Sequence, residues 1–479
     1  MAVPSLGQYG LEVRNGSLHF EDVRLDSLAK KYGTPLFVYS ERMIVDAISK
    51  VQEAFRKKMP NFKISYAVKA ASNLRVLKTV RDQGVGAEVS SEGEIFLALM
   101  AGFNPGNIIF NGPAKSDREL AISARLGFYC INLDSTNELE RLYAMCKRTR
   151  TKARIAFRVR PDVGAGTKSI QTGTVESKFG LGSTDVLEAC RRSAELQDHL
   201  QVIGIHAHVG SQNTSRDSWR SYVEKLTGLA ATIRKEEPRI DIQHINIGGG
   251  MPVKHYSDDL NQPVPEYARS VPSEEQVASI VSGVMDEEGA GNLELILEPG
   301  RRIVANSALL VTQIVSTKSS NGQDWVYVDA GYNTLPSANI PWYFHVLPVS
   351  KASAEEFSPY RVAGPLCDSH DLFHDVDGEE QGNPSLPRYR MLPNGLHSGD
   401  YLAFLDVGAY NMDIMDNFNG RLLAGGIFID RHGKPSVMRK RQKYGDIIHY
   451  ELHSKRKSSK ISKLMEDMIK DERKVQGKR

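Results

Sequence analysis

Residues 62–71 of this 479-residue chain read FKISYAVKAA, a strand-like run that leads into one lysine among small and apolar residues. Removing an ammonium group from water is costly, so a lysine in such surroundings tends to lose its proton. The neutral amine can then attack an aldehyde and form a Schiff base. Alternatively, Lys69 is an ordinary lysine at a strand end whose charged head reaches solvent. Other parts of the sequence distinguish these two interpretations.

Further apolar runs of strand length follow, and segments with helical periodicity separate them. The predicted strands are residues 63–67, 86–89, 108–111, 129–133, 154–159, 202–206, 244–247 and 294–297. Because strands and helices alternate, an α/β fold with a closed (β/α)8 barrel is more economical than an open doubly wound sheet. We therefore predict a TIM-like barrel over residues 36–305.

The pattern changes after Arg302 to Val- and Leu-rich strands with polar loops, which predicts an all-β domain over residues 306–453. Residues 1–35 also contain strand-like segments, so we expect them to join this β-domain. Residues 374–400 are rich in Asp, Gly, Glu and Pro and are predicted to form a long surface excursion. The last segment, residues 454–479, holds 10 Lys or Arg against 4 Asp or Glu and is predicted to be a basic tail.

The composition is that of an ordinary globular protein, with 41% hydrophobic and 25% charged residues and a formal net charge of +3. This charge is too small to indicate nucleic-acid binding. The four cysteines are widely spaced without a C-x-x-C pair, which argues against a zinc site and favours a reducing compartment. No apolar run approaches the ~20 residues of a membrane span, so we expect a cytoplasmic protein without membrane contact.

Residues that suit catalysis or anion binding follow several predicted strands, at the end where barrel enzymes carry their active sites. They are Lys69 after the first strand, His208 and Ser211 after the sixth, Gly249 and Gly250 after the seventh, and Glu298 and Arg301 after the eighth. Each has an ordinary alternative, namely a solvent-facing lysine, a packing histidine, a flexible turn or an ion pair. Glycines, however, let backbone N–H groups surround an anion such as phosphate. Together the residues fit an aldehyde-bearing ring with a phosphate arm, which describes pyridoxal 5′-phosphate.

Six short motifs occur in a characteristic order along the chain. They are Tyr66–Ala70 (YAVKA), His208–Gln212 (HVGSQ), Gly248–Gly250 (GGG), Glu298–Arg301 (EPGR), Gly364–Asp368 (GPLCD) and Gly408–Tyr410 (GAY). This series resembles that of the barrel-fold, pyridoxal-phosphate-dependent amino-acid decarboxylases, which include diaminopimelate and ornithine decarboxylases. The resemblance implies an alanine racemase-like barrel with a C-terminal β-domain. It also implies a small-molecule amino-acid substrate and two active sites shared across a head-to-tail homodimer.

The resemblance implies a role for each residue near the cofactor. Lys69 matches the Schiff-base lysine, His208 the ring stacked on the pyridine face, and Glu298 the partner of the pyridine nitrogen. Glu88 stands where an acid on the cofactor side is usual. The phosphate-side positions are matched by Ser211, Gly249, Gly250, Gly300, Arg301 and Tyr410, of which Arg301 and Tyr410 are also candidates for substrate binding.

Decarboxylation is the reaction that fits these residues best. A carboxylate at Glu298 keeps the pyridine nitrogen protonated, so the ring can accept the electron pair released when CO2 leaves. A racemase of the same fold would be expected to carry arginine there. By resemblance, Cys367 and Asp368 act in the neighbouring subunit's site, the thiol as proton donor and the carboxylate as receiver of a distal amine. Retention of Lys69, Glu298 and Cys367 argues against an inactive regulatory homologue.

The substrate is predicted from one segment of the β-domain. Diaminopimelate decarboxylases place an arginine shortly after a motif that here reads DAGY, yet residues 333–343 contain no basic residue. A distal carboxylate would therefore lack a bidentate partner. This segment, with residues 363–368 and 404–410, looks closer to the bacterial D-ornithine/D-lysine decarboxylases, and Asp368 suits a terminal ammonium. We expect a D-lysine or D-ornithine type of substrate, with meso-diaminopimelate or L-ornithine, L-lysine or L-arginine as alternatives.

Overall fold

The computed structural model describes residues 6–164, 172–174, 176–254, 271–339, 342–374 and 388–449. These residues form two compact units. The barrel unit comprises the described residues between 43 and 305. The β unit comprises the described residues up to 42 together with those from 306 onward. The predicted basic tail, residues 454–479, lies outside the described residues.

The β unit begins with a small sheet in which β1 (Leu11–Arg14), β2 (Ser17–Phe20) and β3 (Val23–Arg24) pair in antiparallel order. Helix α1 (Leu25–Tyr32) and strand β4 (Leu36–Ser40) follow. The structure differs from the sequence expectation at β4, which was assigned to the barrel but pairs with strands of the β unit. Every residue of β4 is buried. An unbroken apolar run is expected both for a barrel strand and for a central strand of another sheet, so the pattern does not distinguish them.

The barrel unit is built on eight parallel strands that close on themselves, with the last strand pairing with the first. They are β5 (Phe62–Ala67), β6 (Gly86–Val89), β7 (Ile108–Phe110), β8 (Cys130–Leu133), β9 (Ala153–Arg158), β10 (Leu200–His206), β11 (His244–Asn246) and β12 (Glu294–Leu297). The predicted TIM-like (β/α)8 barrel is therefore confirmed, and each predicted strand overlaps one of the observed strands.

Helices precede and connect these strands. They are α2 (Glu41–Arg56), α3 (Leu74–Asp82), α4 (Glu92–Ala101), α5 (Asp117–Leu126), α6 (Thr136–Thr149), α7 (Ser183–Ser193), α8 (Arg216–Glu236), α9 (Glu274–Glu287) and α10 (Arg301–Val304). Local signals set their ends. For α5, the Ser116 hydroxyl accepts from the Glu119 N–H while the Glu119 carboxylate accepts from the Ser116 N–H. This capping box pairs two N–H groups that a helix start leaves without partners, and Gly127 ends α5 in a left-handed conformation with φ 67°.

A buried apolar cluster lies within the barrel, and polar residues follow it along the strands. The cluster consists of Ile109, Cys130, Ala156, Ile203 and Ile296. Two positions after four of these residues come Asn111, Asn132, Arg158 and Glu298, all of them buried. Residues two apart on a strand face the same side, so these polar groups form the next layer toward the carboxyl ends of the strands. The layer order explains why polar side chains collect at one end of a packed barrel.

The β unit continues with a larger sheet. Its strands are β13 (Ala308–Ser320), β14 (Gln323–Val328), β15 (Val346–Pro348), β16 (Phe357–Ala363), β17 (Arg390–Pro393), β18 (Tyr401–Leu405), β19 (Gly425–Ile429) and β20 (Pro435–Arg439), followed by helix α11 (Tyr444–Ile447). The main path runs β17-β16-β14-β13-β4-β19-β20, and β18 pairs with β13 and β15. A β-rich second domain is thus confirmed, whereas the exact domain boundaries remain predictions.

The predicted excursion over residues 374–400 is only partly a loop. Strand β17 lies inside it and pairs in antiparallel register with β16. The short run RMLP lies among charged residues and was therefore not predicted as a strand. Its residues Arg390, Leu392 and Pro393 are buried. Residues 375–387 of the predicted excursion lie outside the described residues.

Packing between β10 and β11 offers a test of the barrel. Gly204 is the register partner of His244, and a Cβ at position 204 would overlap the buried His244 ring. We expect Gly204→Ala to lower the free energy of unfolding by about 1–3 kcal/mol, the usual cost of overpacking, as measured by urea unfolding. Gly228→Ala in α8 is the matched control, since its Cβ would meet no atom within 4 Å. The control should be neutral or stabilising, so equal losses in the two variants would contradict this account.

Candidate active site

The barrel residues predicted from the sequence all lie at the carboxyl ends of its strands. Lys69 lies in a short 3-10 turn (Val68–Ala70) after β5, Glu88 lies in β6, His208 and Ser211 follow β10, Gly249 and Gly250 follow β11, and Glu298, Gly300 and Arg301 follow β12. The barrel unit thus brings together every predicted site residue except Cys367, Asp368 and Tyr410, which belong to the β unit.

Lys69 faces a carboxylate from the neighbouring strand. Its Nζ lies 2.5 Å from Glu88 Oε2, and the Glu88 side chain is completely buried while that of Lys69 is 44% exposed. The expected apolar surroundings of Lys69 therefore describe its sequence neighbours but not its spatial ones. A carboxylate at this distance favours the charged form of the amine. The pairing holds the amine at a fixed point at the barrel end.

Glu298 is a buried carboxylate with three side-chain donors. Its oxygens accept hydrogen bonds from Asn246 Nδ2 at 2.7 Å and Asn111 Nδ2 at 2.9 Å, and His206 Nε2 lies at 3.2 Å. Burial alone would raise the pKa of Glu298, but the charge and hydrogen bond of His206, with Lys69 and Asn246, hold it at about 2. Glu298 is thus ionised at neutral pH although it is only 5% exposed.

His208 presents a neutral ring beside this carboxylate. The backbone N–H of Gly249 donates to His208 Nδ1 at 3.2 Å, so the proton of the neutral ring belongs on Nε2. Burial, and then the nearby cations Arg158 and Lys69, lower the pKa of His208 to about 3. The ring is therefore uncharged at neutral pH, and its plane is oriented by the glycine-rich segment.

The three glycines after β11 pack closely against the backbone of neighbouring segments. A Cβ on Gly249 would lie 2.7 Å from the Glu298 carbonyl oxygen, and one on Gly250 would lie 2.7 Å from the Gly210 carbonyl oxygen. Gly248 and Gly250 also have positive φ angles of 63° and 94°. Side chains are therefore excluded from this segment by sterics and, at two positions, by conformation.

Arg301 supplies a buried cation at the same end of the barrel. It is only 6% exposed, and its Nε donates to Ser211 Oγ at 3.0 Å. Gly300, immediately before it, caps the short helix α10. A guanidinium together with a hydroxyl is a suitable set of donors for a phosphate group.

The β unit holds the remaining predicted residues. Cys367 is exposed, and its N–H donates to Asn419 Oδ1 at 2.7 Å. The Tyr332 hydroxyl donates to Asp368 Oδ2 at 3.0 Å. The backbone N–H of His370 and then this hydroxyl lower the pKa of Asp368, which favours the carboxylate form.

His370 and Tyr410 are two further residues of the β unit with defined backbone contacts. His370 donates its N–H to Asp368 Oδ1 at 2.8 Å and has a side chain that is 59% exposed. Tyr410 adopts a left-handed conformation with φ 58°, and its carbonyl oxygen accepts from Ser337 Oγ at 3.1 Å.

Sequence reasoning missed the donors that surround the buried carboxylates. Asn111, His206 and Asn246 were not predicted, although each lies on or directly after a predicted strand. The available signal was periodicity, since His206 and Asn246 stand two residues before His208 and Gly248 and so share their side of the strand. Their partners lie on other strands, which a single sequence does not indicate.

The donor set fits pyridoxal phosphate. An amine for the aldehyde, an ionised carboxylate for a protonated ring nitrogen, and a glycine segment beside a cation for the phosphate occur together. Across the described ranges, no group of three or more His, Cys, Asp or Glu residues is arranged to hold a metal ion. No helix within these ranges is long and apolar enough to cross a membrane. Fold and site together define a pyridoxal-phosphate enzyme on a TIM-like barrel with a β-rich second domain.

Comparisons with known proteins agree with this class. Residues 45–305 match the family model described as pyridoxal-dependent decarboxylase, pyridoxal binding domain. The chain is 33% identical over 445 residues to a diaminopimelate decarboxylase of Aquifex aeolicus, covering 92% of this chain and 97% of that protein. It is 32% identical to the diaminopimelate decarboxylase of Pseudomonas aeruginosa, over 89% of this chain and 95% of the other. The chain therefore belongs to the pyridoxal-dependent decarboxylase family, so it is a carboxy-lyase whose cofactor is pyridoxal 5′-phosphate.

Solved structures give the same result for the fold. The diaminopimelate decarboxylase of M. jannaschii in complex with L-lysine matches with a TM-score of 0.82 and 29% identity, over 93% of this chain and 98% of the other. A lysine/ornithine decarboxylase of Vibrio vulnificus, complexed with cadaverine, matches with a TM-score of 0.68 and 20% identity, over 84% and 97% of the two chains. At that identity the second match shows a shared fold only.

The neutral state of His208 can be measured by deuterium exchange at the imidazole C2 position, followed by mass spectrometry. Exchange slows below the pKa of a histidine and is independent of pH above it. With a pKa of about 3, His208 should exchange at a constant rate between about pH 5 and 8. In the urea-unfolded chain the same peptide should show a rate that rises up to a pH of about 6.5. A folded-state profile that levels off near the unfolded midpoint would show that the ring titrates normally.

Proposed function

We propose that this enzyme decarboxylates a diamino acid, and that meso-diaminopimelate is its first candidate substrate. The observation that carries the proposal is the buried, ionised Glu298, since a carboxylate at this point suits a cofactor that must accept electrons. The names of the relatives support the substrate, because those at 32–33% identity act on diaminopimelate by name.

We assign to each barrel residue a different part of the cofactor. Lys69 would hold it covalently, His208 would lie against the face of its ring, and Glu298 would accept a hydrogen bond from its ring nitrogen. Glu88 would hold the Lys69 amine in position through the contact at 2.5 Å. On the barrel side the phosphate would be bound by Ser211, Gly249, Gly250, Gly300 and Arg301. Tyr410, which belongs to the β unit, is a further candidate for the phosphate. Arg301 and Tyr410 remain candidates for substrate contacts as well.

When bound, pyridoxal phosphate supplies an electron sink for the bond between Cα and the carboxylate that is lost as CO2. Glu298 supports this by remaining ionised, because its anion keeps a proton on the ring nitrogen. His208 supports it by remaining neutral, because a cation there would compete for Glu298. The overall balance is one amino acid and one proton converted to one amine and CO2. We assign delivery of that proton to the Cys367 thiol.

Cys367 and Asp368 are proposed to act across a homodimer. Asp368 would receive the distal ammonium of the substrate, and its lowered pKa provides the negative charge that this requires. Tyr332 orients the carboxylate through the hydrogen bond at 3.0 Å. A shared site would make each subunit contribute its β-unit loop to the partner's barrel.

A second candidate substrate is D-lysine or D-ornithine. The observation in its favour is the segment from Asn333 to Tyr343, which contains no lysine or arginine. The distal carboxylate of meso-diaminopimelate would find no cation in this segment, whereas lysine and ornithine carry no such group. Meso-diaminopimelate therefore requires a positively charged residue elsewhere in the site for its distal carboxylate, whereas D-lysine and D-ornithine do not.

The covalent role of Lys69 predicts the position of a chemical label. Borohydride should fix the cofactor to the protein, and peptide mass spectrometry should locate it on Lys69. Lys69→Ala should lower the decarboxylation rate by about 10³-fold or more, because both the anchor and a proton-transfer group are lost. Lys78→Ala, on an exposed position of α3, is the matched control and should retain full activity. A label on another lysine would refute the assignment.

The substrate can be identified by CO2 release from meso-diaminopimelate and from both enantiomers of lysine, ornithine and arginine. We expect kcat/KM for meso-diaminopimelate to exceed the others by at least about tenfold. A preference for D-lysine or D-ornithine would replace the first candidate by the second and support the argument from Asn333 to Tyr343. Absence of CO2 release from every diamino acid would refute the proposed function.

A further inference from the structure

One side-chain amide joins the two buried carboxylates of the barrel end. Asn111 Nδ2 donates to Glu88 Oε1 at 3.0 Å and to Glu298 Oε2 at 2.9 Å. Its Oδ1 accepts from Asn132 Nδ2 at 2.6 Å. Asn111 is only 6% exposed. Because an amide nitrogen carries two hydrogens, each carboxylate receives one of them.

The amide completes a chain of polar contacts across the site. Glu88 uses its other oxygen for Lys69 at 2.5 Å, and Glu298 also contacts His206 at 3.2 Å. Asn111 is thus the link between the carboxylate beside the amine and the carboxylate assigned to the ring nitrogen.

Two carboxylates that approach the same nitrogen to about 3 Å repel one another strongly in a buried site. Such pairs usually relieve the repulsion when one member takes up a proton. A neutral amide with two N–H groups opposes this, because it donates to both anions and adds no charge. If one carboxylate took up a proton on the oxygen that faces Asn111, its O–H would point at the N–H of the amide. The hydrogen bond from Asn111 to that carboxylate would then weaken.

We propose that Asn111 is a positioning residue that holds the Glu88 and Glu298 carboxylates at a fixed separation by donating one N–H to each. The charge beside the Lys69 amine and the charge beside the ring nitrogen are thereby coupled through one amide. The identity of the two ligand groups rests on the proposed function, whereas the bridge between the carboxylates does not.

The pair is also surrounded by other charged or titratable side chains. They are Lys69 after β5, Glu94 of α4, Cys130 of β8, Arg158 of β9, His206 and His208 at the end of β10, and His244 of β11. Burial and then the charge of Glu88 raise the pKa of Glu94. The cations of this set favour ionised carboxylates and Glu94 opposes them, so removal of the amide is expected to shift the balance toward protonation.

The test compares three variants, Asn111→Leu, Asn111→Asp and Asn132→Leu. Asn111→Leu removes both donors at similar volume, and Asn111→Asp replaces them with a third carboxyl group. Asn132→Leu is the matched control, because Asn132 is a buried amide that contacts Asn111 and neither carboxylate. The readouts are the melting temperature of the protein without cofactor at pH 5 and pH 8, and the affinity for added pyridoxal phosphate.

In the Asn111 variants each buried carboxylate loses one donor while the mutual repulsion remains, so we expect the folded protein to take up a proton on this pair more readily than the unfolded chain does. Stability from such groups is present at low pH and is lost as pH rises through the folded pKa. For both Asn111 variants, the deficit in melting temperature relative to wild type should therefore grow by about 5 °C or more from pH 5 to pH 8. Their affinity for pyridoxal phosphate should fall by about tenfold or more, and Asn132→Leu should change the affinity by less than about threefold.

A deficit for Asn111→Leu that is equal at the two pH values would show that Asn111 serves packing alone and would overturn the proposal. An equal loss of cofactor affinity in Asn132→Leu would do the same. If Asn111→Asp fails to fold at both pH values, the comparison of the two leucine variants still decides the question. Wild-type protein that fails to bind pyridoxal phosphate would contradict the assigned function and leave the pH comparison as the test of the bridge.

Discussion

The burial of two carboxylates at one end of a closed barrel is the constraint on which the rest of this site depends. A carboxylate removed from water is unfavourable unless hydrogen bonds and cations replace the solvent. Glu88 and Glu298 obtain these partners from different strands, Lys69 after β5, Asn111 after β7 and His206 in β10. A parallel barrel is well suited to this, because it brings the carboxyl ends of all its strands to one place. The same convergence that defines the fold therefore supplies both carboxylates with their partners.

The glycine segment after β11 meets a second requirement, close approach of the backbone. Gly249 must pass the carbonyl of Glu298, so a side chain is excluded and its N–H remains available to His208. The orientation and tautomer of His208 are thus determined by a residue without a side chain. Burial, and then the positive charges of Arg158 and Lys69, lower the pKa of His208 and keep the imidazole neutral. Neutral imidazole and ionised carboxylate can then coexist in one small site, and a cofactor with a protonated ring nitrogen needs both.

The sequence is sufficient for the barrel strands and for residues whose chemistry is visible one at a time. Lys69, His208 and Glu298 stand out because each follows a strand and has a side chain suited to a known ligand group. Asn111 does not stand out, since an asparagine after a strand is ordinary and its two partners lie 23 and 187 positions away. Strand β4 shows the same limit. Its apolar run predicts burial correctly, but pairing with β13 and β19 depends on distant residues.

Substrate choice is harder to predict than reaction type because the two depend on different parts of the chain. In the proposed function, reaction type rests on Glu298, which its buried donors hold in place. The proposed recognition of the distal amine rests on a turn of the β unit, which Asp371 organises by accepting the N–H groups of Leu366 at 2.7 Å and Tyr332 at 2.9 Å. Burial raises the pKa of Asp371 to about 6, so the anion that fixes this turn is held less firmly than Glu298. A change around such a turn would move Asp368 without altering the barrel donors of Glu298, so in the proposed function the substrate preference can change while the reaction type stays the same.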